Sequence, residues 1–156
     1  MAEIGPLDHR DPATARALLE LQRAAYRLEA ELIGSGAIPP LHETLAELVA
    51  VDEIFLGARI DRALAGAISW KVVDATLDVH RLIVSPASQR NGLGRRLLRS
   101  VLDAHAELPA IVQTGAGNHP ARALYASEGF AVVDEIEPAP GLRVVRLRRP
   151  PVTPSA

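Results

Sequence analysis

The stretch from Gln89 to Gly94, which reads Gln-Arg-Asn-Gly-Leu-Gly, lies between two segments of different periodicity. Residues 76–84 before it are rich in the β-branched and apolar residues of a strand. After it, an apolar stripe repeats at helical spacing through Leu93, Leu97, Leu98, Val101 and Leu102. A glycine turn between a strand and a helix presents the free N–H groups of the first helical turn, and such groups bind anions. The stretch therefore predicts an α/β fold with a phosphate-binding turn.

Two common phosphate-binding motifs do not fit this turn. The dinucleotide fingerprint requires a third glycine at position 97, where this chain has Leu97. The nucleoside triphosphate loop requires Gly-Lys-Ser or Gly-Lys-Thr, and neither tripeptide occurs in the sequence. The turn is therefore suited to a phosphate, but not to the ligands of those two motifs.

The periodicity along the rest of the chain predicts elements on both sides of the turn. Helices are predicted over 12–33, 41–49, 94–106 and 120–128, and strands over 53–60, 63–73, 76–84, 110–113, from 130 onward and over 142–148. An antiparallel meander followed by parallel strand-helix-strand units predicts a three-layer α/β sandwich with a mixed central sheet. We expect one domain over 1–149 and a flexible tail over 150–156. The Gly- and Pro-rich segment 34–40 is a candidate lid.

The composition argues against several classes of function. The chain has 156 residues, a formal net charge of -2 and no cysteine. Nucleic-acid binding normally requires a surplus of Lys and Arg, and without cysteine no disulfide or thiolate nucleophile is possible. The first residues lack the pattern of a secretion signal, and no apolar run reaches the roughly 18 residues of a membrane span. We therefore expect a cytoplasmic protein that binds neither nucleic acid nor membrane.

A second segment, Asn118–Phe130, narrows the interpretation of the glycine turn to one class of ligand. It reads Asn-His-Pro-Ala-Arg-Ala-Leu-Tyr-Ala-Ser-Glu-Gly-Phe. Together with the strand end at 82–84 and the turn at 89–94, it resembles the paired signatures of the GNAT superfamily of acetyl-CoA-dependent N-acetyltransferases. The resemblance covers residues 76–131 and implies a GNAT-type fold and direct acetyl transfer from the thioester of acetyl-CoA to an amine, without an acetyl-enzyme. The lack of cysteine agrees with direct transfer.

The resemblance also implies which residues bind the cofactor. The backbone of Leu82, Ile83 and Val84 is expected to hold the acetyl carbonyl and the pantetheine arm. Asn118 is expected to bind the pantetheine or to help to splay the two parallel strands. Its alternative role is that of a helix cap, and the two roles are compatible. The residues expected at the pyrophosphate are Gln89, Arg90, Asn91, Gly92, Leu93, Gly94 and Arg95.

Tyr125 is the expected general acid, because by the superfamily pattern a tyrosine at this place protonates the leaving thiolate. The alternative is a half-buried helix aromatic that packs with Leu124 and Phe130.

Asp78 and His80 are the candidate bases. They alternate with Leu82 and Val84 along the strand, so all four side chains are predicted to share the face that lines the cleft. Several members of the superfamily carry an acidic base on this strand, at the place of Asp78, whereas the pKa of an imidazole lies closer to the operating range. The alternative is a solvated polar pair or a salt bridge that involves Arg81.

The acceptor pocket is expected near the end of the first helix. Tyr26 and Glu29 share a helix face there, Glu29 can attract a cationic amine, and Trp70 is a candidate wall of the pocket with a core role as the alternative. Glu31 is better explained as part of a solvated face. Some relatives that acetylate protein N-termini carry a glutamate five residues before the asparagine of the second motif, and here that residue is Gln113.

These observations favour acetylation of a small or amino-acid-like amine. The alternatives are acetylation of a peptide N-terminus or a lysine, and a non-catalytic acyl-CoA-binding domain. No metal is expected: His42-Glu43 begins like a zinc protease helix, but the second histidine is replaced by Ala46. The last strand is a candidate dimer surface or simply core, through Leu142, Val144, Val145 and Leu147.

Overall fold

The computed structural model describes residues 2–34 and 42–152. Within these ranges the elements are β1 (Glu3–Leu7), α1 (Pro12–Ile33), α2 (Leu45–Ala50), β2 (Ile54–Ile60), β3 (Ala63–Val73), β4 (Thr76–Val84), α3 (Leu93–Ala104), β5 (Ala110–Gly115), α4 (His119–Ser127), β6 (Ala131–Ala139) and β7 (Leu142–Arg149), with a 3₁₀ turn at Pro86–Ser88. The candidate lid falls almost wholly on residues 35–41 and so lies outside the described residues. No helix in the described ranges is long and apolar enough to cross a membrane.

The strands form one mixed sheet in the order β1-β2-β3-β4-β5-β7-β6. Neighbours are antiparallel except for β4 and β5, which are parallel and are connected through α3. One apolar cluster joins the sheet to α3 and α4 and includes Leu97 and Tyr125, and a second joins it to α1 and α2 and includes Leu18 and Leu48. The predicted three-layer α/β sandwich is confirmed.

The helices begin and end where their capping residues predict. The Asp11 side chain accepts a hydrogen bond from the Thr14 N–H at 3.0 Å, Pro12 occupies the first turn, and Gly34 ends α1 with a φ of 69°. The α2 helix begins later than predicted because Thr44 and Glu47 form a capping box that fixes its first turn.

The first strand is an element that the sequence pattern did not reveal. Residues of β1 include Gly5 and Pro6, which are unfavourable inside strands. The strand lies at the edge of the sheet and pairs with β2 alone, so a proline is tolerated there. The last strand, β7, lies between β5 and β6, and its side chains Val145 and Leu147 belong to the core.

Candidate active site

A slot opens in the sheet where β4 and β5 stop pairing. The parallel pairing runs from Leu77 and Ala110 to Val79 and Val112, and in the described structure it stops there. On the other side of β4, the register with β3 shifts so that His80 has no partner, which is a β-bulge. The unpaired halves of the two strands leave room for a ligand between them.

The bulge corrects the prediction that four side chains of β4 share one face. Leu77 and Val79 before it and Leu82 after it pack against the same α3 and α4 cluster, which strict alternation does not allow. Asp78 and His80 contact each other, but they lie on the opposite face from Leu82 and Val84. The physical reason is the extra residue, which reverses the alternation.

A cleft of about 650 Å³ leads from the N-terminus of α3 to this slot. One wall is the end of β4 with the turn before α3, a second is α4, and a third is α1. Every cofactor residue predicted from the sequence lines it except Asn91. Those that line it are Leu82, Ile83, Val84, Gln89, Arg90, Gly92, Leu93, Gly94, Arg95 and Asn118.

The turn before α3 has the backbone geometry of an anion site. Gly92 occupies the N-cap position with a φ of 73°, and no side chain caps the helix within the described residues. The N–H groups of residues 93–95 therefore lack partners within the helix and point out of its positive end. A Cβ on Gly94 would meet Val84 at 3.5 Å, an ordinary contact, so the turn lies close to the end of β4 without requiring glycine at this position.

Two arginines of α3 are anchored to α4 by one buried carboxylate. Glu128 accepts from Arg95 at 2.9 Å and from Arg99 at 2.7 Å, and its side chain is 7% exposed. Hydrogen bonds from Arg99 lower the pKa of Glu128 most strongly. Arg95 lines the cleft, so the carboxylate holds this cation in place and compensates part of its charge.

A smaller pocket of about 200 Å³ adjoins the inner end of the cleft. It brings together four of the predicted side chains, which are Tyr26 and Glu29 from α1, His80 from β4 and Tyr125 from α4. Its other lining residues are Ile33, Leu82, Val112, Gln113, Thr114, Gly115, Asn118, Ala121, Leu142 and Val144. Since Tyr26, Glu29 and Tyr125 also line the cleft, the two cavities meet at these residues.

Tyr125 is buried at this junction and keeps its proton. Its ring packs edge-on against Phe130 at a centroid distance of 5.6 Å, and 4% of the residue is exposed. Burial raises the pKa of the Tyr125 phenol well above its usual value, and the charge of Glu29 raises it further. The hydroxyl is therefore a proton donor over the whole neutral range.

Glu29 is a largely buried carboxylate at the same junction. Burial raises the pKa of Glu29, while hydrogen bonding with the Asn118 side chain and the Gly115 backbone opposes the rise. The other end of the Asn118 amide caps α4, because its Oδ1 accepts from the Ala121 N–H at 3.2 Å. Asn118 thus joins α1 to the start of α4 across the cleft.

His80 lies between two carboxylates. Its Nδ1 is 3.4 Å from Oε2 of Glu53, and its Nε2 is 3.2 Å from Oδ2 of Asp78. The hydrogen bond with Glu53 raises the pKa of His80, burial opposes this, and the charges of Glu53 and Asp78 add to the rise. The pKa of the imidazole is therefore raised above its ordinary value.

Sequence reasoning missed the group that holds this histidine. Glu53 accepts from Ser69 Oγ at 2.6 Å and from Arg81 Nε at 3.0 Å. Arg81 also donates to Glu43 at 2.7 Å and to Gln22 at 2.7 Å, so it bonds to neither Asp78 nor His80 as the alternative reading assumed. The one available signal was Arg81 itself, a charged residue directly before the apolar end of β4, and it did not identify the partner.

Trp70 is placed otherwise than we predicted. It is 8% exposed, belongs to the cluster under α3 and meets the His105 ring at 6.1 Å, and it is not among the residues that line either cavity. Regular alternation along β3 explains this position, because Ile68 and Trp70 both belong to the α3 cluster while Ser69 between them faces α1. Trp70 is therefore a core residue and no longer a candidate for substrate binding.

The comparisons with known proteins agree with this geometry. Residues 15–130 match the Acetyltransferase (GNAT) family. The chain is 37% identical over 137 residues to the UPF0157 protein YqkA of Bacillus subtilis, covering 87% of this chain and 40% of that protein. It is 35% identical over 127 residues to the N-alpha-acetyltransferase RimI of Mycobacterium tuberculosis, covering 77% and 79%. The chain therefore belongs to the GNAT family of acetyltransferases, which confirms the acyltransferase predicted from the sequence.

The fold also matches a solved structure with a bound ligand. The N-acetyltransferase PaiA of Thermoplasma acidophilum, in complex with coenzyme A, superposes with a TM-score of 0.78 at 18% identity, covering 96% of this chain and 99% of that one. At this identity the likeness shows the fold.

Proposed function

We propose that this enzyme transfers the acetyl group of acetyl-CoA directly to the primary amine of a small or amino-acid-like molecule. The observation that carries the proposal is the junction of the two cavities, where an anion-binding turn is connected through the open slot to a small pocket with acidic and basic groups. The glycine turn suits a pyrophosphate, and the slot between β4 and β5 suits an extended pantetheine arm. The cofactor of the PaiA structure supports the choice of ligand.

The reaction needs two proton transfers, and the junction supplies a group for each. An alkylammonium loses two protons when it becomes an amide: a C–N bond forms, the C–S bond breaks, one proton ends on the leaving sulfur and one goes to solvent. His80 removes the proton that makes the amine a nucleophile, since its pKa is raised toward that of the substrate. Tyr125 donates to the thiolate, because its phenol is fully protonated at neutral pH.

Glu29 is the proposed binding site for the acceptor cation. A buried carboxylate without a cationic partner is costly, and the positive charge of an incoming ammonium offsets that cost. The volume of the pocket, about 200 Å³, fits a small amine or one amino-acid side chain rather than a folded surface. Tyr26 and Leu82 give it apolar walls.

Acetylation of a peptide N-terminus is the second candidate. The similarity to the N-alpha-acetyltransferase RimI favours it. Gln113 argues against it, because this residue lines the pocket but offers no carboxylate where some N-terminal acetyltransferases of the superfamily carry a glutamate.

The experiment is a thiol-release assay with matched acceptors. Free amino acids, diamines and aminosugars are compared with hexapeptides of different first residues and with a peptide that has a lysine and a blocked N-terminus. We expect the small amines to release CoA. When both substrates are varied, the double-reciprocal plots of the rate should give intersecting lines, as a ternary complex requires. Faster release with the hexapeptides would establish the second candidate. A thermal shift with acetyl-CoA without release by any acceptor would instead support a non-catalytic domain.

A further inference from the structure

We propose that Glu53 is a positioning residue for the acetyl transfer, which holds the His80 ring at the acceptor pocket and fixes the proton of the neutral imidazole on Nδ1. This inference rests on the proposed function, since it assigns His80 the role of base. Glu53 precedes β2 and does not line the pocket itself, so it acts through the imidazole.

Bonds other than the contact with His80 hold the carboxylate of Glu53 in place. Its Oε1 accepts from Ser69 at 2.6 Å and from Arg81 at 3.0 Å, while Oε2 faces the imidazole at 3.4 Å. Its side chain is 10% exposed and that of Arg81 is 7% exposed, so water competes little for these bonds. Arg81 also donates to Oε2 at 3.5 Å, so both oxygens are held by the protein while Oε2 faces a ring nitrogen.

The β-bulge puts the histidine where this oxygen can reach it. Arg81 pairs with Ser69 and the preceding register pair joins Val79 to Trp70, so His80 lies between the two pairs as the extra residue. A bulge redirects a side chain relative to the strand, and here His80 and Arg81 both contact Glu53. Without the bulge, alternation would place these two neighbours on opposite faces.

The two ring nitrogens then have different tasks. Both ring nitrogens face a carboxylate, so a lone pair of the neutral ring reaches the substrate only where the carboxylate turns away. Glu53 is held by Ser69 and Arg81, whereas the Asp78 side chain is 35% exposed and can rotate. The neutral ring therefore keeps Nδ1–H toward Glu53, and Nε2 takes up the substrate proton when Asp78 turns to solvent. The imidazolium that forms donates to both Glu53 and Asp78, at 3.4 Å and 3.2 Å. The Asp78 side chain is 35% exposed, so the proton can leave to solvent on that side.

The charged and titratable groups around His80 are known from each neighbouring element. Glu53 comes from the segment before β2, Lys71 from β3 opposite Asp78, and Asp78 and Arg81 from β4 itself. Tyr26 and Glu29 from α1 and Tyr125 from α4 lie across the pocket. Arg81 is already engaged by Glu43 and Glu53. Of these groups, Glu53 is the one that is both buried and bonded to the ring.

Glu53→Gln tests the inference, and Glu43→Gln is its matched control. Both variants remove a buried carboxylate that pairs with Arg81, but Glu43 does not contact His80. In Glu53→Gln we expect kcat at its high-pH plateau to fall about tenfold or more, with the acceptor KM little changed. The acid limb of the rate profile should move to lower pH, because the carboxylate that raises the pKa of His80 is gone. Glu53→Asp should partly restore both kcat and the position of the acid limb.

An NMR titration of the His80 ring provides a readout that needs no turnover. The imidazole signals are followed against pH in the wild-type protein, Glu53→Gln and Glu43→Gln, with His80→Asn for the assignment. A lower His80 pKa in Glu53→Gln alone supports the proposal. Equal losses of kcat and unchanged titrations in both glutamine variants would overturn it and make Glu53 a purely structural residue. Failure of the wild-type enzyme to release CoA would concern the proposed function and would leave the titration result intact.

Discussion

Oε2 of Glu53 lies 3.4 Å from Nδ1 of His80, although one residue precedes β2 and the other is the extra residue of a bulge in β4. The contact joins a buried ionic network to the acceptor pocket. On one side Glu53 is tied to Ser69 and Arg81, and on the other the imidazole lines a cavity that also contains Tyr125. On the proposed mechanism, stability and catalysis therefore depend on the same carboxylate.

Arg81→Met is expected to destabilise the protein by about 3 to 5 kcal/mol, because it leaves two poorly hydrated carboxylates without their cation. The Arg81 side chain is 7% exposed, and those of Glu43 and Glu53 are 13% and 10% exposed. Arg146→Met is the control, since Arg146 pairs with Asp134 on the surface and its loss should change stability little. Urea denaturation of both variants gives the comparison, and a similar change in each would contradict the importance of the buried network.

Acid should remove the contribution of Glu53 in a defined range of pH. Burial alone would raise the pKa of Glu53, but the bonds from His80 and Ser69 and the charge of Arg81 outweigh it and lower the pKa from 4.5 to about 2. For a carboxyl with a depressed pKa in the folded state, the stabilisation is present above pH 4.5 and is lost as the pH falls toward 2. Melting temperatures of wild type and Glu53→Gln should therefore converge over this range. Parallel curves would show that the pKa of Glu53 is not lowered in the folded protein.

Glu29→Gln should stabilise the protein and impair the enzyme. Because burial raises the pKa of Glu29, this group favours the folded state below pH 4.5, and that contribution is lost as the pH rises through the raised value. At pH 7 the neutral amide avoids that loss, so the melting temperature should rise. The acceptor KM should increase about tenfold or more, as expected when a hydrogen bond to a charged group of about 1.5 to 3 kcal/mol is lost.

Glu31→Gln is the matched control for Glu29, because Glu31 is exposed on the same helix. It should change neither the melting temperature nor the acceptor KM. If both variants behave alike, Glu29 is not the site of the ammonium group.

Tyr125→Phe should lower kcat by roughly 10² to 10⁴ while the fold and acetyl-CoA binding are kept. The substitution removes the hydroxyl and preserves the ring that packs against Phe130. Stopped-flow measurement of CoA release gives kcat, and calorimetric titration gives the affinity for acetyl-CoA. A variant with wild-type kcat would remove Tyr125 from the mechanism, and water would then have to supply the proton.

Gly92→Ala and Gly94→Ala should differ although they are two residues apart. Gly92 has a φ of 73°, so a side chain there is strained even though a Cβ would meet no atom within 4 Å, and we expect a loss of about 1 to 2 kcal/mol. At Gly94 a Cβ makes ordinary contacts with Val84 at 3.5 Å and Leu124 at 3.7 Å, so alanine should fold normally. The melting temperatures of the two variants test the backbone strain at Gly92. The increase in melting temperature on adding acetyl-CoA tests whether the turn still binds the cofactor.

Much of the site could be predicted from the sequence because its parts are local. The turn before α3 depends on two glycines and on the first turn of one helix, so its anion-binding backbone follows from residues 89–94. The cap of α4 follows in the same way from Asn118 and the proline after it. These features involve bonds between residues a few positions apart, and their geometry is set by the chain itself.

Only the tertiary structure decided how the catalytic groups meet. The bulge at His80 depends on the register between β3 and β4, and one extra residue reversed the face that alternation assigned to Leu82 and Val84. The partnership of Glu53, His80 and Arg81 joins segments that are distant in the chain, and strand pairing brings them together. Local patterns specify which elements form, whereas a buried ion pair is specified by the packing that excludes water from it, and that packing exists only in the folded chain.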